Sequence, residues 1–442
     1  MTDLLLVASV VLSVAALFRA RLATFLFAAN QVLILRSLQN IREFGQPISQ
    51  AMLPAEIFAP ERLEVANFVM LLPTIMLGLS ILAPEVKREK PLSVPALPGW
   101  LFWAALVQPV VMVFSSRTIL SAAYAAEERR VFDLALGGGL QVLSFGVLIY
   151  VAYRAVSLGR LSAGAAVGLV IALLIGTDYA KGGTGLATGI ALCAAVVIHS
   201  HETARATRAR KFIVALGALL LVAVVVRGVR ATIAEEGVSA VSALADNMVA
   251  EEAGAAERGE GAEQIGNGSQ YAAHLLECID LYERGVSRNW RSIYAPVEYT
   301  FKPSFLVGPL GLVRSKEAAW ELAEYFIHGG GIYLWGELYW NGGYLCVGLV
   351  GAVLIWFAFM CDTRFRLSLV WFVLLLQFAP GLLQGVGYGF AQVSRGIFNG
   401  LILLALVKVF GRHHVGAAAD GGVGARVGSA ARDSAENPVG GC

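Results

Sequence analysis

Near residue 330 the chain reads His328-Gly-Gly-Gly331-Ile-Tyr-Leu-Trp-Gly-Glu337-Leu-Tyr339-Trp-Asn341-Gly-Gly343. A carboxyl group, an amide and an imidazole stand here among aromatic rings and glycines, and glycine lets a backbone turn or approach a neighbour closely. Glu337 and Asn341 are four residues apart, one above the other on a helix. They sit at the mouth of an apolar run, where an ionisable side chain is costly unless it is paired or used. Such a carboxylate could take the proton of an attacking hydroxyl, with His328 and Glu298 behind it. Its structural alternative is a helix cap, or a partner of Asn341 that orders the loop.

Just upstream, a second grouping changes the charge. Between 284 and 316 come Arg284, Arg288, Arg291, Lys302, Arg314 and Lys316 against the single acid Glu298. Trp290, Tyr294, Tyr299, Phe301 and Phe305 are interleaved with them. Guanidinium forks recognise phosphate bidentately, and flat rings suit sugar faces, so a pyrophosphate-linked sugar would satisfy both. The structural alternatives are pairing with an acidic helix expected at 231–257 (Glu235, Glu236, Asp246, Glu251, Glu252, Glu257), or contact with lipid headgroups. No acidic pair has metal-ligand spacing, the six histidines do not cluster as a site, and the five cysteines show no paired spacing. Neither a metal, another cofactor nor a disulfide framework is expected.

The elements that position these residues must be mostly membrane helices. The chain is 57% hydrophobic and 15% charged, against about 25% charged in soluble domains. Mean hydropathy is +0.67, and a net charge of +2 gives no reason to expect nucleic acid. Apolar runs of spanning length fall near 65–83, 98–114, 134–152, 182–198, 212–226, 336–357, 367–384 and 396–410, with a shorter one at 163–176. Runs 4–18 and 22–35, split by Arg19 and Arg21, are two spans, or one span and an interfacial helix. The expectation is an all-α polytopic membrane helical bundle of ten or eleven spans with a large, mostly helical periplasmic loop.

Lys and Arg mark cytoplasmic loops at Lys87–Lys90, Arg154–Arg160, Arg205–Lys211 and Arg364–Arg366. The chain then divides into N-terminal transmembrane helices (1–226), a periplasmic loop domain (227–335), C-terminal transmembrane helices (336–412) and a disordered cytoplasmic tail (413–442). Within the loop a second helix is expected over 270–284, and with the first it reads as a solvated cap over the bundle.

The run from Gly331 to Gly343, at the end of a large external loop, resembles the O-antigen polymerase (Wzy-type) family. There a glycine-rich turn precedes a Glu, an aromatic, an Asn and a Gly entering a late membrane helix. The layout is similar over roughly 130–410. A second family feature, a Gly-Ser-Arg-Gly-like turn, is matched only loosely by Gly176-Thr-Asp-Tyr-Ala-Lys181-Gly-Gly183, where lysine replaces arginine and two residues intervene. The resemblance implies an inner-membrane glycosyltransferase that joins undecaprenyl-pyrophosphate-linked oligosaccharide units, donor to acceptor, at the periplasmic face. It also implies flippase and chain-length regulator proteins as partners.

In that reaction Arg288, Arg291 and Arg314 would meet the pyrophosphate, with Arg284, Arg117, Lys181 and Arg395 contributing. Trp290, Tyr299, Tyr339 and Asn341 would meet sugar. The O-antigen ligase family shares the architecture, so transfer of finished polymer stays open. A polysaccharide transporter is disfavoured because no inverted repeat appears and the span centres carry almost no charge. A loop that only scaffolds envelope proteins is the third alternative.

Overall fold

The computed structural model describes residues 1–44, 55–84, 92–115, 138–180, 184–198, 200, 206–218, 266–301, 318–326 and 332–411. Among them the chain is all-α, with no β-strand. Four helices are long and apolar enough to cross a membrane, beginning at Leu22, Pro60, Leu334 and Phe390, and six shorter apolar helices accompany them. Large apolar side chains such as Val7, Leu79, Leu173 and Trp356 are exposed along these helices. Water would not tolerate a surface of that kind, whereas lipid does. The protein is a polytopic helical membrane protein.

Cross-links between helix ends fix its layout. Helices α1 (Thr2–Phe18) and α2 (Leu22–Phe44) pack together, and Arg42 near the end of α2 pairs with Asp3 at the start of α1, 3.1 Å away. The two therefore run antiparallel as separate helices. The end of α3 (Pro60–Leu82) returns to the α1–α2 turn, where Arg19 and Arg21 donate to the carbonyls of Ser80, Ile81 and Ala83. Cations at a helix C-terminus satisfy carbonyls that have no helical partner. We term this the basic end, and the opposite one the loop end.

Beyond α3 come α4 (Gly99–Ser115), α5 (Gly138–Ser157), α6 (Leu161–Ala180) and α7 (Thr184–Ile198). The segment before α4 is tied to the end of α5: the hydroxyls of Tyr150 and Tyr153 donate to the carbonyls of Pro95 and Leu92 at 3.0 and 3.1 Å. Three shorter helices come from the expected loop domain: α8 (Gly266–Glu283), α9 (Arg291–Phe301) and α10 (Ala318–Tyr325). The chain closes with α11 (Leu334–Arg364), α12 (Leu369–Tyr388) and α13 (Phe390–Phe410). Helices α12 and α13 form a hairpin in which glycines permit backbone contact. A Cβ on Gly396 would lie 2.8 Å from the Gln377 carbonyl oxygen, the small-residue packing common in membranes.

Two features depart from the expected layout. Helix α11 is not one continuous span. Gly342 and Gly343 have non-helical backbones, with Gly343 at φ 60, ψ −151. A Cβ on Gly351 would lie 3.0 Å from the Trp335 ring, yet these residues would be roughly 24 Å apart on a straight helix. The chain therefore doubles back at Gly342–Gly343. The arm 334–341 is a re-entrant segment, and the arm 344–364, about 31 Å long at 1.5 Å per residue, does the crossing. The span expected from 336 thus starts only after the glycine pair.

The second departure is α8. Every residue from Ala272 to Leu281 is buried, and the helix packs on α2, α3 and the first arm of α11. It is an internal helix, not a solvated cap. The first, acidic helix expected at 231–257 lies outside the described residues, as does the tail from 412.

Candidate functional site

The re-entrant arm is the floor of the candidate site. Residues 332–341 are all buried. Its close fit to α8 needs a glycine: a Cβ on Gly336 would sit 3.0 Å from the Leu275 Cα. Trp335 reaches α2, its ring 5.9 Å from that of Phe27. At the reversal, Gly343 occupies backbone space that other residues enter only with strain, and the Tyr282 phenol fills the place of a side chain. The Tyr282 ring in turn packs edge-on to Tyr339 at 5.0 Å.

Glu337 projects from the middle of this arm and is 1% exposed. One carboxylate oxygen accepts the Phe390 N–H at 2.6 Å, and the other faces the Arg288 guanidinium at 3.5 Å. The first contact requires Gly389, whose φ of 69 suits glycine alone and whose missing Cβ leaves room for the Glu337 carboxylate. A single side chain thus joins the re-entrant arm, the α12–α13 turn and the loop before α9. Asn341 extends the framework: its Nδ2 donates to the Glu337 carbonyl at 2.7 Å, and its Oδ1 accepts the Ser292 N–H at 2.9 Å. The expected Glu337–Asn341 partnership therefore exists, but through the main chain.

Arg288 is the hub. Its Nε and Nη2 both donate to Glu321 of α10, at 3.1 and 3.0 Å, and Nη1 donates to Ser292 at 2.5 Å. The guanidinium also lies 5.4 Å from the centre of the Trp340 ring, a cation–π distance. Trp340 in turn donates its indole N–H to the Val286 carbonyl at 2.7 Å. Asn289 and Trp290, with φ of 48 and 63, lie in the left-handed region that non-glycine residues rarely enter. The Trp290 N–H is held by the Asn341 carbonyl at 3.2 Å, and its indole packs against Gly342. Backbone strain of this kind persists only where surroundings enforce it, commonly at ligand sites.

Over this buried frame lie exposed groups. Arg291 is 42% exposed and pairs with Glu321 only at 3.6 Å. Arg284 is 52% exposed and bonded to Asp280 at 3.0 Å. Trp290 and Tyr294 present ring surface beside them. Under Arg284, Asp280 also pairs with Arg62 of α3. One turn earlier on α8 is Glu277, fully buried, whose carboxyl is pushed up to about 8 by burial, reinforced by the Asp280 charge. Burial, with Glu277 and Glu337 adding to it, also pushes the Cys278 thiol well up, so it stays protonated and unreactive.

Of the residues singled out from sequence, Arg284, Arg288, Trp290, Arg291, Glu337, Tyr339 and Asn341 converge at this place. Glu298 and Tyr299 lie in α9, and Arg395 in α13, two helices that pack together. Arg117, Lys181, Arg314 and His328 fall outside the described residues. No grouping of metal-ligand residues occurs among the described residues. Sequence reasoning missed Glu321, Ser292, Gly389 and the Arg62–Asp280 pair. Glu321 is one acid in an ordinary helical stretch and carries no local signal. Gly389, in the run Gly385-Val-Gly387-Tyr-Gly389, could have been read as a turn.

Fold and site together define a polytopic helical membrane protein with a re-entrant helix clamped by a buried arginine–carboxylate network, roofed by exposed arginines and aromatic rings. Compared with family models, curated proteins and solved structures, the chain finds no match.

Proposed function

We propose that the protein is a glycosyltransferase of the inner membrane that polymerises undecaprenyl-pyrophosphate-linked oligosaccharide units at the periplasmic face, in the manner of O-antigen polymerases. The observation that carries this reading is the succession of a strained, partly exposed Trp290 and a half-exposed Arg291 above a buried support. A half-exposed cation next in sequence to a partly exposed aromatic ring suits a pyrophosphate joined to a sugar. The Lys and Arg bias at the basic end favours that end in the cytoplasm, which supports a periplasmic position for the site.

In this scheme an acceptor hydroxyl attacks the anomeric carbon of the donor, and the bond to the lipid pyrophosphate breaks. The electron pair leaves with the pyrophosphate, whose growing charge Arg291 and Arg284 stabilise from positions held before the reaction. Enclosure of Glu337 and Arg288 gives both a positioning role. Proton acceptance then falls to Glu298 or His328.

The test is the glycan ladder of cells lacking the native protein, complemented with wild type or Arg291→Ala at matched membrane levels. Wild type should restore long chains, and Arg291→Ala should leave lipid-linked single units. Accumulation of unattached finished polymer would assign ligase transfer instead. A wild-type ladder from the variant would remove Arg291 from the chemistry and this reading with it.

A further inference from the structure

The glycine pair that reverses α11 is flanked by different rings. The Trp290 indole lies against Gly342, and the Tyr282 phenol lies against Gly343. On the Gly343 side the packing continues into a cluster of three phenols. Tyr339, at the end of the re-entrant arm, packs edge-on against Tyr282 at 5.0 Å and against Tyr344 at 5.1 Å. The hydroxyls of Tyr339 and Tyr344 are hydrogen-bonded to each other. Tyr339 is only 5% exposed, too deep to offer its face to a ligand, whereas Tyr344 is 42% exposed.

A tyrosine at the start of a crossing arm ordinarily sits in the headgroup layer of the bilayer. Two observations favour another use for Tyr344. Its ring is held: an edge contact and a hydrogen bond tie it to a buried neighbour, and the backbone before it is fixed by Gly343 at φ 60. A carboxylate also stands beside it. Glu283, the last residue of α8, is 39% exposed in its side chain, and its charge acts on both phenols. Among the described residues its ion pair is with Arg62 Nε at 3.6 Å, too long for a hydrogen bond. The Nη groups of Arg62 are taken by Asp280 and the Glu56 carbonyl. Glu283 thus keeps acceptor capacity for outside donors. A carboxylate repels lipid phosphate, so a ring that only anchored in headgroups would gain nothing from it. A pyranose suits both groups. Its C–H face carries slight positive charge and meets the negative face of an aromatic ring, and its adjacent hydroxyls can donate as a pair to one carboxylate.

We propose that Tyr344, backed by Tyr339, and Glu283 form a subsite for a neutral saccharide. The Tyr344 ring covers the C–H face of one sugar unit, and the Glu283 carboxylate accepts two neighbouring hydroxyls. The role of that sugar rests on the glycosyltransferase reading: it belongs to the acceptor, held on the Gly343 side while the donor pyrophosphate meets Arg291. No bond is made or broken at the subsite, which binds and orients.

The test is saturation-transfer NMR on the full-length protein in phosphatidylcholine nanodiscs, whose lipid carries no sugar. The probe is a mixture of glucose, galactose, mannose, rhamnose and N-acetylglucosamine. Wild type should transfer saturation to at least one of them, most strongly at its ring C–H protons. Tyr344→Ala and Glu283→Gln should each weaken binding about tenfold, for the loss of the ring face or of hydrogen bonds to a charged acceptor. Tyr325→Ala removes a half-exposed ring from α10 instead and should bind as wild type does. The readout needs no turnover, so the glycan ladder can fail while this binding stands, and this binding can fail while the ladder stands. No transfer from wild type to any of these sugars overturns the proposal. Equal transfer in wild type, Tyr344→Ala and Glu283→Gln also overturns it and returns Tyr344 to the headgroup layer. Should Tyr344→Ala not fold, Tyr344→Leu replaces it, filling the same place without an aromatic face.

Discussion

Removing charge from the Arg288 hub should reveal how its two carboxylates divide the work. Glu321 receives two donors from Arg288 at 3.0 and 3.1 Å, whereas Glu337 stands 3.5 Å away and gives its other oxygen to Phe390. Glu321 is 18% exposed and Glu337 2% in their side chains. When Arg288 is lost, water can reach Glu321 but not Glu337. Arg288→Met therefore strips a buried carboxylate of its guanidinium neighbour, a change that costs about 3–5 kcal/mol. Glu337→Gln can keep an acceptor for Phe390 only by turning its amide N–H toward the guanidinium, or the reverse. One donor then faces a donor, and the cost is about 1–3 kcal/mol.

In the double variant both buried charges are gone, and the Gln carbonyl can serve Phe390 without conflict. The pair should cost less than the sum of its parts by about 2 kcal/mol, within the range measured for groups in one network. The assay is unfolding of purified protein in detergent, followed by thermal midpoint and by retention of monodisperse protein on a sizing column. Additivity of the two changes to within about 0.5 kcal/mol would refute the network as the clamp between re-entrant arm and loop, whatever the distances.

Three further outcomes follow from the same geometry. Gly343→Ala and Gly389→Ala should each cost at least about 1–3 kcal/mol, because both backbones lie where only glycine is unstrained. Their new methyls would also meet the Tyr282 phenol and the Glu337 carboxylate; Gly348→Ala, with open space around it, should be neutral or mildly stabilising in the same melts. Stability should fall as pH rises from about 4.5 to about 8, since Glu277 holds its proton over that interval only when folded. Folding takes up that proton, so the slope approaches about −1.4 kcal/mol per pH unit, and Glu277→Gln should flatten it in melts across the range. Tyr282→Leu should loosen the reversal through lost packing on Tyr339 and Gly343, read as faster cleavage near the glycine pair by added protease.

What the sequence disclosed depended on whether the governing interaction was local. Membrane helices are specified by runs of apolar residues in one stretch of chain, so α3, α5, α12 and α13 could be placed from composition. The cluster around Glu337 was visible for a similar reason, because an acid, an amide and six glycines in one short run are improbable in lipid without a purpose. The reversal at Gly342–Gly343 was not visible. The residues on both sides are apolar and helix-compatible, and a continuous helix and a hairpin share the same hydropathy. The non-helical backbones of Gly342 and Gly343 and the contact of Trp335 with Gly351 separate them.

Helix α8 misled for the opposite reason. His274, Glu277 and Asp280 give it the composition of a surface helix, yet all three are buried, with Asp280 paired to Arg62 of α3 across more than 200 residues of sequence. Buried polar groups persist where partners compensate them, and those partners are distant in the chain. The same logic bears on the proposed activity. A single span needs neither a doubled-back arm nor an internal polar helix, and both are costly to build in lipid. Their convergence beneath Arg291 and Trp290 is therefore a stronger argument for a functional site at the loop end than the number of arginines in the loop.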